Sequence, residues 1–156
     1  MRVTNVAALA VLVLGASFSL PAMARERRVK MSNLPPAVRE TVVEVTKGAK
    51  LRGLTYEVEK GEAFYEAELD VNGRTRDVTI DPTGAIALVE EEVAWDSVPA
   101  AVRAAIEKLA EGGKILLVET LSRNSKVEVY EAHVRRGWWK EMEFKVDPDG
   151  NPIIEK

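Results

Sequence analysis

The chain has 156 residues, 30% of them charged, a formal net charge of −3, no cysteine and a single histidine, His133. The absent cysteine removes thiol catalysis, cysteine-ligated zinc, iron–sulfur chemistry and disulfides, so the hydrophobic core alone must hold the fold. A mildly acidic, well-mixed charge argues against nucleic acid or an anionic membrane as the main partner.

Residues 1–24, MRVTNVAALAVLVLGASFSLPAMA, open with Arg2, run apolar through 6–14 and close on Ala22-Met23-Ala24. A short basic start, an apolar stretch and a small-x-small end form a secretory signal peptide, with cleavage expected after Ala24. The apolar run is too short to span a bilayer comfortably. Removing it takes away only Arg2 among charged residues, leaving 132 residues (156 less 24) and a net charge of −4. Residues 25–32, led by a basic patch over 25–30, read as a solvated N-terminal tail.

Two tandem units follow, 33–93 and 94–156. LPPAVRETVVEVTKGAKL (34–51) aligns with VPAAVRAAIEKLAEGGKI (98–115) at an offset of 64; Tyr65-Glu66-Ala67 meets Tyr130-Glu131-Ala132 at 65; IDPTG (80–84) meets VDPDG (146–150) at 66. An offset that drifts by one residue twice is what small loop insertions in a duplicated unit produce. Each unit opens with proline, apolar residues at three-to-four spacing and a closing glycine, the pattern of a short amphipathic helix. Alternating segments separated by Lys60-Gly61, Asn72-Gly73 and Asp81-Pro82-Thr83-Gly84 then predict antiparallel strands joined by tight turns. The expected fold is therefore α+β: two tandem repeats, each a helix packed on a four-stranded antiparallel sheet, together forming one curved sheet.

Period-two alternation places Tyr65, Ala67, Leu69 and Val71 on one face, with Tyr130, Ala132 and Val134 as their counterparts, and the helices cover it. Phe64, Glu66, Glu68 and Asp70, then Glu131, His133 and Arg135, take the other face, which the pattern leaves charged and open. The unit, a short Leu-Pro-like helix followed by Tyr-x-Ala strands and an Asp-x-x-Gly hairpin, resembles the PepSY and PepSY-like domains of exported bacterial proteins. Two in tandem resemble the arrangement of β-lactamase-inhibitor-protein-like (BLIP-like) proteins, in which two helix-plus-sheet repeats form a curved surface. The resemblance implies a binding or inhibitory role outside the cytoplasm and brings no catalytic residues with it.

His133 is the one residue through which histidine chemistry could pass. Ser32, Ser97, Ser122 and Ser125 all lack the Gly-x-Ser-x-Gly elbow, and His133 occupies the slot of Glu68, so an outward strand position explains it and no enzyme is expected. Among the carboxylates, Glu57 or Glu59 could approach Glu66 or Glu68 across strands, the raw material of an acid/base pair or a calcium site, but a solvated polar face accounts for them. The Asp-Pro-x-Gly segments are explained as hairpin turns and lack the remaining ligands of a calcium loop. No metal or cofactor is therefore assigned.

RGWWKEMEF (136–144) departs most from the first unit. Adjacent strand residues point to opposite faces, so Trp138 is expected to join the core with Met142 and Phe144 or to lie at the turn's edge, and Trp139 to join Glu141 and Glu143 on the charged face. Trp139, Glu141, His133, Glu131, Arg135, Glu66 and Glu68 form the expected partner-binding set. Trp95 is expected to staple the linker to the second helix. The reading is an exported, non-catalytic binding protein, an inhibitor or modulator of a secreted or envelope enzyme, located in the periplasm or beyond. The alternative is a calcium- or small-ligand-responsive periplasmic protein using the carboxylate-rich face.

Overall fold

The computed structural model describes residues 27–59 and 61–154; the expected signal peptide lies outside them. Two helices form where the apolar spacing placed them, α1 (Pro36–Val45) and α2 (Ala100–Ala110). Each starts directly after a proline, Pro35 or Pro99, whose fixed φ suits helix entry. Helix α1 ends on Thr46, whose hydroxyl donates to the Val42 carbonyl, and α2 ends on a left-handed Glu111 followed by Gly112.

The strands are β1 (Arg27–Arg28), β2 (Lys50–Glu59), β3 (Glu62–Val71), β4 (Arg74–Ile80), β5 (Ile86–Val93), β6 (Lys114–Arg123), β7 (Lys126–Arg136), β8 (Lys140–Val146) and β9 (Pro152–Ile153). They make one nine-stranded antiparallel sheet in sequential order. The fold is thus a single nine-stranded sheet carrying two helices, which overturns the expected division into two repeats, each a helix on a four-stranded sheet. The element that overturns it is the β5–β6 pairing, Val89–Ser122 through Val93–Val118, which carries the sheet across from one half of the chain to the other. A separate sheet in each half would leave β5 and β6 as edges with unpaired amides; pairing satisfies both. The expected tail is also corrected, because Arg27 and Arg28 pair with Tyr56 and Thr55 of β2, and Val29 and Met31 pack on the core.

Both helices lie on the same face. Val38 and Val42 of α1 pack with Leu54, Ala67, Leu69, Val78 and Ile80, which the register aligns on one side of β2–β4. Val98, Val102, Ile106 and Ala110 pack with Val118, Ala132, Val134 and Val146 of β6–β8. Tyr65 lies against the first cluster and Tyr130 and Trp95 against the second. Between the clusters, on this same face, Arg76 pairs with Glu91 across β4–β5. A third, smaller cluster of Leu88, Leu121 and Val129, flanked by Ile153, belongs to the opposite face, since Leu88 is in register with Thr79 and Leu121 with Glu90. That face is thus not wholly polar, as the alternation alone had implied.

The β4–β5 turn and its later counterpart touch the helices closely. Gly84, at φ +89°, sits where an added Cβ would lie 2.8 Å from the Ala37 carbonyl oxygen of α1; Gly150, also at φ +89°, has the same relation to Ala101 of α2. The Thr41 hydroxyl donates to the Gly84 carbonyl at 2.6 Å, fixing that approach. Gly48 has a similar backbone, φ +77°, but open space around it. Gly48→Ala is therefore expected to cost only left-handed strain, about 1–2 kcal/mol. Gly84→Ala adds a clash with fixed backbone and is expected to cost about 3 kcal/mol or more. Urea unfolding of the two variants checks this; equal losses would show that the turn does not press on α1.

Candidate functional site: the sheet face opposite the helices

On the uncovered face the register sets carboxylates side by side. Glu68 on β3 is opposite Asp77 on β4, and Asp77 is opposite Glu90 on β5. Beyond the seam, Glu92 faces Glu119 on β6, Glu119 faces Glu131 on β7, and Glu131 faces Lys145 on β8. Directly opposed residues bring their Cβ atoms to about 5 Å, a distance at which like charges destabilise a sheet. Glu66, two residues before Glu68 and on the same face, faces Thr55 and Thr79.

Few cations balance the strip. Arg28 of β1 reaches the Glu68 carboxylate across Gly53, where a Cβ would come within 2.9 Å of Glu68 Oε2, so only glycine leaves the passage open. Lys145 Nζ lies 3.3 Å from Glu131 Oε2. His133 Nε2 lies 3.2 Å from Glu119 Oε2 and 3.6 Å from Glu131 Oε1, and its Nδ1 lies 3.8 Å from Glu143 Oε1. The imidazole thus stands among three carboxylates, and its proton is held above the ordinary histidine range, first by the hydrogen bond to Glu119.

Four carboxyls of this face, Glu66, Asp77, Glu90 and Glu131, hold their protons to higher pH. Burial, then the charge of Asp77, pushes Glu66 up to about 8. Burial, then the charges of Glu119 and Glu131 from across the seam, pushes Glu90 up to about 7. Its register partner Leu121 belongs to the small apolar cluster, which keeps water away from it. Burial, followed by Glu68 and Glu119, also raises Asp77, whose buried Oδ1 has no hydrogen-bond partner among the described residues. Glu131 is raised by burial in spite of Lys145.

Of the residues expected at a partner site, Glu66 and Glu68 stand on β3, Glu131, His133 and Arg135 on β7, and Glu141 on β8. Arg135 Nε is 3.2 Å from Glu141 Oε1, towards one end of the strip. Asp77, Glu90 and Glu119, which link the two groups, were missed. Alternation alone turns them outward, but only the β5–β6 register shows that they adjoin. Trp139 is not a strand residue: Gly137, Trp138 and Trp139 form the β7–β8 turn, beyond the last pair, Arg136–Lys140. Trp138 is 91% exposed and Trp139 83% exposed, so of the two placements expected for Trp138 the turn holds and the core is wrong. The alternation rule failed because the turn begins before the tryptophans. Single ligand atoms of Glu131, His133 and Glu143 lie within 4.8 Å of one another, the nearest approach to a cation-binding set among the described residues. An open groove of about 430 Å³ near the end of the β5–β6 pairing is lined by Arg74, Glu92, Trp95, Glu107 and Leu117 among others.

The pH dependence follows from these shifts. Glu66 and Glu90 keep their protons in the folded state at pH values where the unfolded chain, with an ordinary glutamate value near 4.5, has lost them. The folded state then binds more protons, so stability falls as pH rises from about 4.5 towards 8 and levels off above. His133, raised by its carboxylates, contributes stability that is present below its unfolded value and lost as pH rises through the folded one. Both effects act in the same direction. The melting temperature is expected to be higher at pH 5.5 than at pH 8.5, and Glu66→Gln to raise it at pH 8.5 with little effect at pH 4.5. A melting temperature that climbs with pH over this range would contradict the arrangement.

No family model matches the chain, and no curated protein is similar to it. Solved structures do share its fold. A DUF2874 family protein from Bacteroides uniformis superposes with a TM-score of 0.61 at 19% identity, covering 77% of this chain and 86% of that one. A protein from Bacteroides eggerthii described as periplasmic gives 0.61 at 18%, covering 79% and 88%. A BLIP-like protein from Bacteroides fragilis gives 0.56 at 23%, covering 79% and 86%. The fold is the one shared by DUF2874 and BLIP-like structures, and this likeness, rather than one to PepSY domains specifically, is what the comparisons support.

Proposed function

We propose that the protein is an exported, non-catalytic binding protein that offers the carboxylate-rich sheet face to a basic surface on a protein partner, acting as an inhibitor or modulator of a secreted or envelope enzyme. The observation that carries this reading is the pair of rows of opposed acids, Glu68–Asp77–Glu90 and Glu92–Glu119–Glu131, which meet on β5 on a face that neither helix covers. Such a row is costly to the isolated fold, and a row of lysine or arginine side chains would relieve it. Export is supported by the signal-like pattern of residues 1–24 and by a fold neighbour described as periplasmic. No helix among the described residues is long and apolar enough to cross a membrane. The BLIP-like neighbour supports a role in protein binding.

The test uses the fold's own electrostatics. The double variant Glu66→Gln/Glu90→Gln removes charge from the face and is expected to make the fold more stable at pH 8. It should nonetheless capture at least about tenfold less of the partner from envelope extract than wild type does, a loss of about 1.4 kcal/mol. Because the variant is not destabilised, that loss cannot be ascribed to unfolding. Undiminished capture would remove the face from the binding role.

A second reading, a calcium- or small-ligand-responsive protein, is favoured by the Glu131, His133 and Glu143 set. It requires millimolar calcium to raise the melting temperature, a chelator to reverse the rise, and Glu131→Gln to abolish it. An unchanged melting temperature in calcium discards it.

A further inference from the structure

We propose that the β7–β8 turn is a membrane-contact element, which seats Trp138 and Trp139 in the headgroup layer of an anionic lipid surface. This goes beyond the binding role of the carboxylate face and does not use its rows of opposed acids.

The two indoles are the most exposed aromatic side chains described, at 91% and 83%. They project from a turn with no strand beyond it. A protein-binding hot spot is ordinarily sheltered by a ring of surrounding contacts, and a tip offers none. Indole rings instead favour the boundary between lipid headgroups and acyl chains, where the ring is half apolar and the N–H stays wet.

The charges beside the tip fit the same occupant. The segment RRGWWK (135–140) holds three cations and no acid. The register adds Lys114 of β6, which faces Arg135, and sets Arg136 against Lys140 at the base of the turn. Two carboxylates answer these four cations, Glu141 on Arg135 and Glu111 on Arg136. Lys114 and Lys140 are exposed and have no ion pair among the described residues. In a chain of net charge −3 this is a local basic end, and anionic lipid attracts such an end within a Debye length. The chain's overall negative charge opposes a broader contact, which limits the interaction to the tip. The acidic face is repelled by the same surface and stays free for a partner.

The tip also has a firm base. Arg136 donates from Nε to the Ala110 carbonyl at 3.2 Å and from its guanidinium to the Leu109 carbonyl, tying the start of the turn to the end of α2. Seating the tryptophans therefore requires little additional ordering of β7.

The test uses the chain from Arg25 onward, which contains every described residue, with vesicles of phosphatidylcholine alone or mixed with phosphatidylglycerol. With phosphatidylglycerol present at low salt, the protein is expected to sediment with the vesicles and its tryptophan emission to shift to the blue; Trp95, packed on the second core, supplies a constant background. Pure phosphatidylcholine and high salt should both weaken the association. Trp138→Ala/Trp139→Ala should abolish it with an unchanged melting temperature, because neither side chain is in the core. Lys140→Glu, a change of two charges near the surface, should weaken it about thirtyfold at low salt. Failure to associate with anionic vesicles at low salt overturns the proposal, as does association that survives the double tryptophan substitution. A wild type that ignores vesicles but loses a protein partner on that substitution would assign the tip to protein docking and likewise overturn it.

Discussion

The pairing of β5 with β6 is the constraint on which the rest of the molecule depends. Five residue pairs, from Val89–Ser122 to Val93–Val118, join the two halves of the chain. Their hydrogen bonds remove two sheet edges that would otherwise stand open to water or to another chain. The same pairing sets both helices on one side, with the Arg76–Glu91 ion pair between their cores. It also decides the chemistry of the other side. Glu90 is carried beside Leu121 and into the field of Glu119 and Glu131, residues that no strand of its own half could supply.

Nature has two ways to tolerate a row of acids on a sheet: supply cations or keep protons. This face uses both, unevenly. Glu68 has Arg28, Glu131 has Lys145, and Glu119 has His133. Glu66, Asp77 and Glu90 are held uncharged to higher pH, chiefly by burial. A protonated carboxyl is a neutral hydrogen-bond donor until a cation arrives, when the proton can leave and an ion pair form. Holding these protons carries a cost in stability that grows with pH.

Much of the architecture was legible in the sequence because it rests on short-range rules. Proline followed by apolar residues at three-to-four spacing located α1 and α2, and Asn-Gly and Asp-Pro-x-Gly located the turns after β3, β4 and β8. Alternation turned Tyr65 and Tyr130 towards the helices and Glu66, Glu68, Glu131 and His133 away. What could not be read was long-range pairing. Nothing local to IALVEEEV or KILLVETLSR gives the register in which they meet, so Asp77, Glu90 and Glu119 were left out of the site. The Trp138 error has another cause: alternation holds only inside a strand, and the chain leaves β7 at Arg136. The β1 strand was hidden because a two-residue basic segment has no pattern, and its partner on β2 supplies the reason for it to be extended.

The side-chain titration of Glu90, followed by the chemical shift of its carboxyl carbon in the folded protein, tests the account most directly. Its proton affinity depends at once on burial beside Leu121 and on Glu119 and Glu131 across the seam. The account predicts a midpoint at about 7, moving down when Glu119 is replaced by glutamine. A midpoint at the ordinary glutamate value of 4.5, indifferent to Glu119, would contradict both the continuous sheet and the acidic face built on it.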